Sequence, residues 1–364
     1  MRDNLIKQFD HCLSQIDEKT ATEYEKCSHQ ILGYVNQKLS ENPKISDLIG
    51  NNPIEVMHTN HACHVDFMAS AFRIKSASTF IDIIAWVYQS YSSRGFNTDY
   101  FIIELQAWIE AIKNYFDNAS YESIVNTYEC MMKHHNEFIK LSKMQSYKSE
   151  IDPEVEEYYR KYLEAILKPS SSEALKCTQG YIKSVEDVPF WWEKVIEPAM
   201  YEIGRKWADG EITVGQEHLA TSITQRVMAA FYPLILQLPR EKGNIVFTSS
   251  PGELHEIGPR MIADFLEIKG WNVYYTGADT PIDSILDMIE KYNPKFLCIS
   301  TTLPFNLSNT EKLIKAVKKE YANNLHILVG GQAYSSDPYM WQKMGADGIA
   351  KNATETVEYL EKYS

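Results

Sequence analysis

Up to about Gln237, apolar residues recur at helical spacing and runs of β-branched residues are scarce; beyond Pro239 the texture changes. The stretch Phe80 to Phe116 predicts two helices around a break at Ser92-Ser93-Arg94-Gly95. Pro153 to Leu167 predicts another helix, with Tyr159, Leu163 and Ile166 on one face. Pro169-Ser170-Ser171-Ser172 then breaks the chain and offers serines to cap the next helix. Val188 to Trp207 reads as one long helix, Gly210 to Val214 as a short connection, and Glu217 to Leu236 as a further helix.

After Pro239 the short apolar runs Asn244–Ser249, Val273–Thr276, Phe296–Thr301 and Ile327–Val329 are separated by helical stretches at Glu256–Ile268, Ile282–Lys291 and Thr310–Tyr321. Strands alternating with helices of this length predict a parallel sheet covered on both faces. A fifth strand at Gly348–Ala350 would complete a flavodoxin-like order. The expected fold is therefore α plus α/β: helical regions, including a four-helix-bundle cap, followed by a five-stranded Rossmann-like sheet. Boundaries are expected near Ser149–Pro153 and Pro239–Gly243, giving segments 1–150, 151–239 and 240–364. Ligands of such sheets bind beyond the carboxyl ends of the strands, which makes the loops there the place to look for chemistry.

Charge and cysteine usage narrow the function classes. The formal net charge is −13 with no basic cluster, which argues against direct binding of a phosphate backbone. Cys12, Cys27, Cys63, Cys130, Cys177 and Cys298 are widely spaced and contain no CxxC pair, against a disulfide framework or zinc ribbon. The first residues are too polar for a signal peptide. No apolar run is expected to reach the roughly 20 residues that span a bilayer. A cytoplasmic location with reduced thiols is the expectation.

The loop after the first expected strand reads Ser249-Ser250-Pro251-Gly252-Glu253-Leu254-His255-Glu256-Ile257-Gly258. It sets an imidazole on a strand-to-helix loop, with a carboxylate two residues before it and a glycine that lets backbone approach something bulky. A histidine whose second nitrogen donates to a carboxylate is a better oriented and more basic metal ligand. On spacing alone a surface histidine that caps a helix is the more ordinary reading.

Glu253-x-His255-x-x-Gly258 resembles the Asp-x-His-x-x-Gly signature of base-off, His-on cobalamin (vitamin B12) domains, with Glu for Asp. The resemblance implies that His255 ligates cobalt from below. Ser300-Thr301-Thr302 resembles the same family's Ser-x-Leu motif, and Gly330-Gly331 its Gly-Gly; both would line the slot for the displaced nucleotide tail. Trp207, followed after nine residues by Glu217-His218, resembles the helical cap of CarH-type, B12-dependent light sensors, the likeness running over about residues 155 to 355. It implies adenosylcobalamin held between bundle and sheet, with Trp207 shielding the upper axial group, Glu217 against the adenosyl group and His218 in the same cap. Two departures stand out. Those sensors carry a histidine directly after the tryptophan, where this chain has Ala208, and a DNA-binding segment that residues 1 to 150 do not show.

Residues 1–150 are the least readable. His58, His61 and His64, with Cys63 among them, would line one side of a helix, as a metal or tetrapyrrole site requires or as a polar helix face provides. The aromatic run Trp86, Tyr88, Tyr91, Phe96, Tyr100, Phe101, Trp108 and Tyr115 fits a core or a pocket for a second, flat chromophore; some cobalamin photoreceptors resembling this architecture also bind biliverdin. Three functions follow in order: a cobalamin-dependent sensor, responsive to light; a corrinoid carrier for methyl transfer; and a heme-binding relative of the same fold. The expected partners are the corrinoid and a protein partner or second copy, with no nucleic acid and no membrane.

Overall fold

Turn chemistry sets the ends of the N-terminal helices in the computed structural model, which describes residues 1–116, 121–144, 150–321 and 324–364. The elements there are α1 (Arg2–Ser14), α2 (Glu18–Ser40), α3 (Ile45–Leu48), α4 (Ile54–Ile74), α5 (Ala77–Ser93), α6 (Asp99–Tyr115), α7 (Tyr121–Lys133) and α8 (His135–Ser142). The Asp17 carboxylate accepts the Thr20 N–H at 2.7 Å and starts α2. Lys75 ends α4 in the left-handed conformation. The expected break between α5 and α6 falls at Gly95, against which Gly50 packs so closely that a Cβ there would lie 2.1 Å from the Gly95 carbonyl oxygen.

Contacts divide the chain into two units. The first comprises Met1–Ser146 with two loop segments from later in the chain, Leu303–Ser308 and Ala333–Met340. Its core is built from Phe9, Tyr24, Phe72, Phe80, Trp108 and Tyr128, all under 2 % exposed. Phe305 joins this core against Phe67. The Ser70 hydroxyl donates to the Pro304 carbonyl at 3.0 Å and accepts the Ser308 N–H at 3.3 Å. The second unit comprises Tyr147–Thr302, Asn309–Gln332 and Trp341–Ser364. Ser149, part of the expected boundary, lies outside the described residues.

The second unit opens with four helical segments: α9 (Glu156–Leu167), α10 (Ser171–Tyr181), α11 (Asp187–Trp191) running on into α12 (Glu197–Ala208), and α13 (Val214–Leu236). Ser170 caps α10, as its position suggests. The long helix expected over Val188–Trp207 is interrupted by a π-turn at Trp192–Ile196. Pro198 explains it: proline has no N–H to give to the preceding turn, and its ring crowds the carbonyl four residues back, so the helix widens upstream. Trp191, Trp192, Ile196, Ile203, Ile223 and Ile235 fill the bundle core.

The sheet follows: β1 (Asn244–Ser249), α14 (Ile257–Ile268), β2 (Asn272–Tyr275), α15 (Ile282–Tyr292), β3 (Phe296–Ser300), α16 (Leu307–Tyr321), β4 (His326–Gly330), α17 (Met340–Met344), β5 (Gly348–Ala350) and α18 (Ala353–Lys362). All pairings are parallel, in the order β2-β1-β3-β4-β5, the flavodoxin-like order expected. The switch point lies between β1 and β3, so the loops after these strands flank the place where such folds bind ligands.

Contrary to the sequence expectation, one helix among the described residues, α13, is long and apolar enough to cross a membrane by length and composition. Ala220, Ile223, Val227, Met228, Phe231 and Ile235 on it are buried in the bundle core, and Glu217, His218 and Arg226 interrupt its surface.

Candidate cofactor site

The β1 loop turns on a buried carboxylate. Gly252 adopts φ +85°, and the Glu253 N–H returns to the Ser250 carbonyl at 2.9 Å, which swings the Glu253 side chain inward to full burial. One oxygen, Oε1, accepts the His255 ring N–H at Nδ1 (2.5 Å) and the His255 backbone N–H (3.1 Å). The other, Oε2, accepts the Thr302 backbone N–H from the β3 loop at 2.9 Å. A buried carboxylate needs such donors to offset its lost hydration. Asp279, on the β2 loop, completes the arrangement: its carboxylate accepts the Gly252 N–H at 2.8 Å and its own N–H donates to the Glu253 carbonyl at 3.0 Å.

The outcome is an imidazole locked at Nδ1 and turned outward. The His255 side chain is 54 % exposed, and Nε2 has no hydrogen-bond partner among the described residues. Partial burial lowers the imidazole pKa, but the hydrogen bond to Glu253 and the charges of Glu253 and Glu217 outweigh it and raise the pKa above the ordinary value. A basic nitrogen facing outward on a fixed ring suits an axial ligand to a metal held above the loop.

The helical cap stands over the same loops. The Gln225 amide on α13 donates to the Glu256 carboxylate, next to His255, and Tyr201 on α12 donates to Gln332, next to Gly331, at 3.4 Å. The turn between α12 and α13 is stiffened by Arg205, which bonds Glu202, Asp209 and Glu211, and by a capping box in which Thr213 and Gln216 satisfy each other's backbone N–H groups. Trp207 is half-buried near the end of α12. Glu217 accepts from the Thr221 hydroxyl at 3.0 Å and meets Nδ1 of the exposed His218 at 2.5 Å. Ala208 is buried and contributes no ligand.

Around this loop and cap the protein exposes apolar surface: Leu254 at 74 %, Val214 at 54 % and Leu219 at 41 %. Such side chains beside an outward imidazole fit a large, flat, partly apolar cofactor. The donor set fits a corrinoid as well, with one imidazole nitrogen as ligand, a carboxylate behind it, and, among the described residues, no group of three or more His, Cys, Asp or Glu placed to hold a metal.

The other expected residues divide. Ser300 is buried at the end of β3, and Thr302 serves through its backbone N–H. The hydroxyls that gather at the strand ends are largely ones the sequence reading passed over. Thr301 bonds Thr310 at 2.8 Å, Thr310 donates to Ser250 at 2.9 Å, and Thr276 donates to Thr248 at 2.9 Å. Small hydroxyl residues ending three neighbouring runs were the available signal. Gly331 sits at φ +104°, with a Cβ there only 2.3 Å from the Thr301 carbonyl oxygen, while a Cβ on Gly330 would meet the Ala350 carbonyl oxygen at 2.6 Å. The chain itself therefore demands both glycines. At Gly258 a Cβ would meet nothing within 4 Å, so nothing within the chain demands that one.

The histidines of α4 do not converge on a metal. His58 bonds Ser40, His61 is held between Asn36 and Tyr100, and His64 bonds Tyr128 and stacks on Trp108. Among the described residues no group of three or more His, Cys, Asp or Glu is placed to hold a metal. Most of the aromatic run packs as core: Tyr88 stacks on Phe101 with ring centroids 3.7 Å apart, and Tyr91, Phe96 and Tyr100 pack on one another, whereas Trp86 is half-buried and Tyr115 is exposed.

Comparison with known proteins agrees with this geometry. Two family models, both described as a B12 binding domain, match residues 158–232 and 243–361. The dimethylamine corrinoid protein of Methanosarcina barkeri is 27 % identical over 169 residues, 45 % of this chain and 78 % of its own length. The trimethylamine corrinoid protein 1 of Methanosarcina acetivorans is 24 % identical over 170 residues, 45 % of this chain and 77 % of its own. The solved Methanosarcina barkeri monomethylamine corrinoid protein shares the fold, with a TM-score of 0.50 and 20 % identity over 57 % of this chain and 99 % of that one. With a helical cap followed by a Rossmann-like domain, each matching a B12-binding model, this chain is a cobalamin-binding protein.

Proposed function

We propose that this protein is a corrinoid carrier for methyl transfer, holding its cofactor with His255 as the lower axial ligand of cobalt. One observation carries the reading: the His255 imidazole, fixed at Nδ1 by a buried Glu253 and free at Nε2, set in a B12-binding domain whose similar proteins are corrinoid proteins for methylamines. Light sensing came first from the sequence, on the Trp207–Glu217–His218 pattern; the comparisons favour the carrier, and Ala208 removes the histidine that would trap cobalt after photolysis. The upper group is accordingly a methyl group rather than adenosyl, and no bilin or heme is invoked.

When bound, the corrinoid supplies a cobalt centre able to accept and release a methyl group. The chain's part is positional. Glu253 keeps the His255 tautomer protonated at Nδ1, leaving Nε2 as the ligand atom. Backbone hydrogen bonds from Thr302 and Gly252 hold the loop against displacement. Trp207, Glu217 and His218 would form the cap over the bound corrinoid and limit water there. A methyltransferase partner must reach that face, so the cap has to open during the cycle.

The test is single-turnover methyl transfer. Protein reconstituted with methylcobalamin and mixed with a reduced thiol acceptor and a corrinoid-dependent methyltransferase should lose its methyl group stoichiometrically in the dark. Tight cobalamin binding with no transfer to any partner, combined with a light-driven change in the protein, would return the sensor to first place.

A further inference from the structure

In the first unit, α1 and α7 pack side by side and bring two thiols together. Gln8 on α1 bonds His134, just past α7, at 2.6 Å. One turn forward along α1 is Cys12, and one turn back along α7 is Cys130, the register of an antiparallel helix pair. The Cys12 thiol is near enough to help raise the pKa of Cys130. Both are half-buried and line one surface groove of about 480 Å³, together with Lys7, His11, Lys133 and Glu129. Other thiols are engaged differently: Cys27 and Cys177 donate to carbonyls, and Cys298 is buried in β3.

We propose that Cys12 and Cys130 form a reversible dithiol–disulfide site, oxidised by small anionic disulfides that enter this groove. The chemistry is two exchanges. Cys12, deprotonated to the thiolate, attacks a disulfide RSSR; the Cys12–SR bond forms, the RS–SR bond breaks, and RS⁻ leaves and takes up the proton. Cys130 then loses its proton and attacks the Cys12 sulfur, expelling a second RS⁻. In sum, two protein thiols are oxidised to one disulfide and RSSR is reduced to two RSH. Lys7 and Lys133 suit an oxidant carrying carboxylates, such as a disulfide of a small peptide thiol. Cys130, whose thiol is pushed up to about 12 by burial and by Cys12, is the resolving partner. The bridge would tie α1 to α7 across a long chain separation. It is independent of the corrinoid assignment.

The experiment treats the full-length reduced protein, under native conditions, with glutathione disulfide, alkylates the remaining thiols, and maps the peptides by mass. A Cys12–Cys130 cross-linked peptide as the main product, with the other four cysteines alkylated, is the expected result. Cys130→Ser should accumulate a glutathione adduct on Cys12 that a thiol removes, whereas Cys12→Ser should leave Cys130 alkylated. Wild-type protein that leaves both residues alkylated, carries separate adducts on each, or cross-links other pairs overturns the proposal without reference to the variants.

Discussion

Glu253, which the motif resemblance sets in the place of an aspartate, reaches its partners through a longer arm. Its carboxylate receives three N–H donors: the His255 ring, the His255 backbone and the Thr302 backbone. Glu253→Gln keeps the volume but removes the charge and turns one acceptor into a donor facing N–H groups. Cobalamin affinity should fall about 10–100-fold, measured by absorption titration, while far-UV circular dichroism stays unchanged. Affinity within twofold of wild type would mean that the carboxylate does not tune the ligand. Gly331 makes a separate, purely structural case. Its positive φ and the Thr301 backbone behind it leave no room for a Cβ, so Gly331→Ala should destabilise the cofactor-free protein by about 2 kcal/mol or more in urea unfolding. A loss under about 0.5 kcal/mol would show that the β4 loop shifts freely to admit it.

At the scale of elements, the α4–α6 pair holds an unusual polar core. Glu104 is fully buried, and burial pushes its carboxyl up to about 7 against the pull of the Trp108 N–H that it accepts at 3.1 Å. His61, 3.9 Å from Glu104, is pushed down to about 3 by burial and by the neighbouring His64 and His58, and burial pushes His64 down to about 3 as well. A carboxyl whose folded value is raised contributes stability that is full below its unfolded value and is lost as pH rises through the folded one. The lowered histidines act in the opposite sense and cost stability as pH falls below their unfolded value. Between about pH 5 and 6.5 the two histidines outweigh the one carboxyl, so thermal stability should rise with pH there, and Glu104→Gln, which removes the opposing contribution, should steepen that rise. An unchanged slope in the variant would place the titration elsewhere.

This polar core also explains why the first third of the chain was hard to read. His61 is buried by partners far away in sequence, Asn36, Tyr100 and Trp108, and it lies 3.9 Å from Glu104 on another helix, so helical periodicity treats both as surface. The sheet was legible because its apolar runs are buried on both faces and separated by turn residues; β1 and β5 match the expected bounds, and the others differ by a residue at one or both ends. In the site, Glu253 and His255 were legible from a motif, whereas Asp279 and Thr310 were not, because their roles arise only when neighbouring strand ends come together.

For the whole molecule, carrier and sensor differ in what light does. Reconstituted with adenosylcobalamin and illuminated, a carrier should show photolysis of the cofactor with no change in hydrodynamic radius or oligomeric state. A light-driven change in assembly, measured by size-exclusion chromatography with light scattering, would contradict the carrier assignment. The loops Leu303–Ser308 and Ala333–Met340, which cluster with the N-terminal helices, directly follow motif residues of the sheet, a chain arrangement that segment-by-segment reading does not reveal.

The central claim is that His255 replaces the cofactor's own base on cobalt. Electron paramagnetic resonance of the cob(II)alamin-loaded protein tests it most directly, comparing unlabelled protein with protein carrying ¹⁵N-histidine. The account predicts that the nitrogen splitting of the cobalt signal changes from triplets to doublets on labelling and disappears in His255→Ala. Triplets that persist in the labelled protein would show that the dimethylbenzimidazole base remains bound and that His255 is not the ligand.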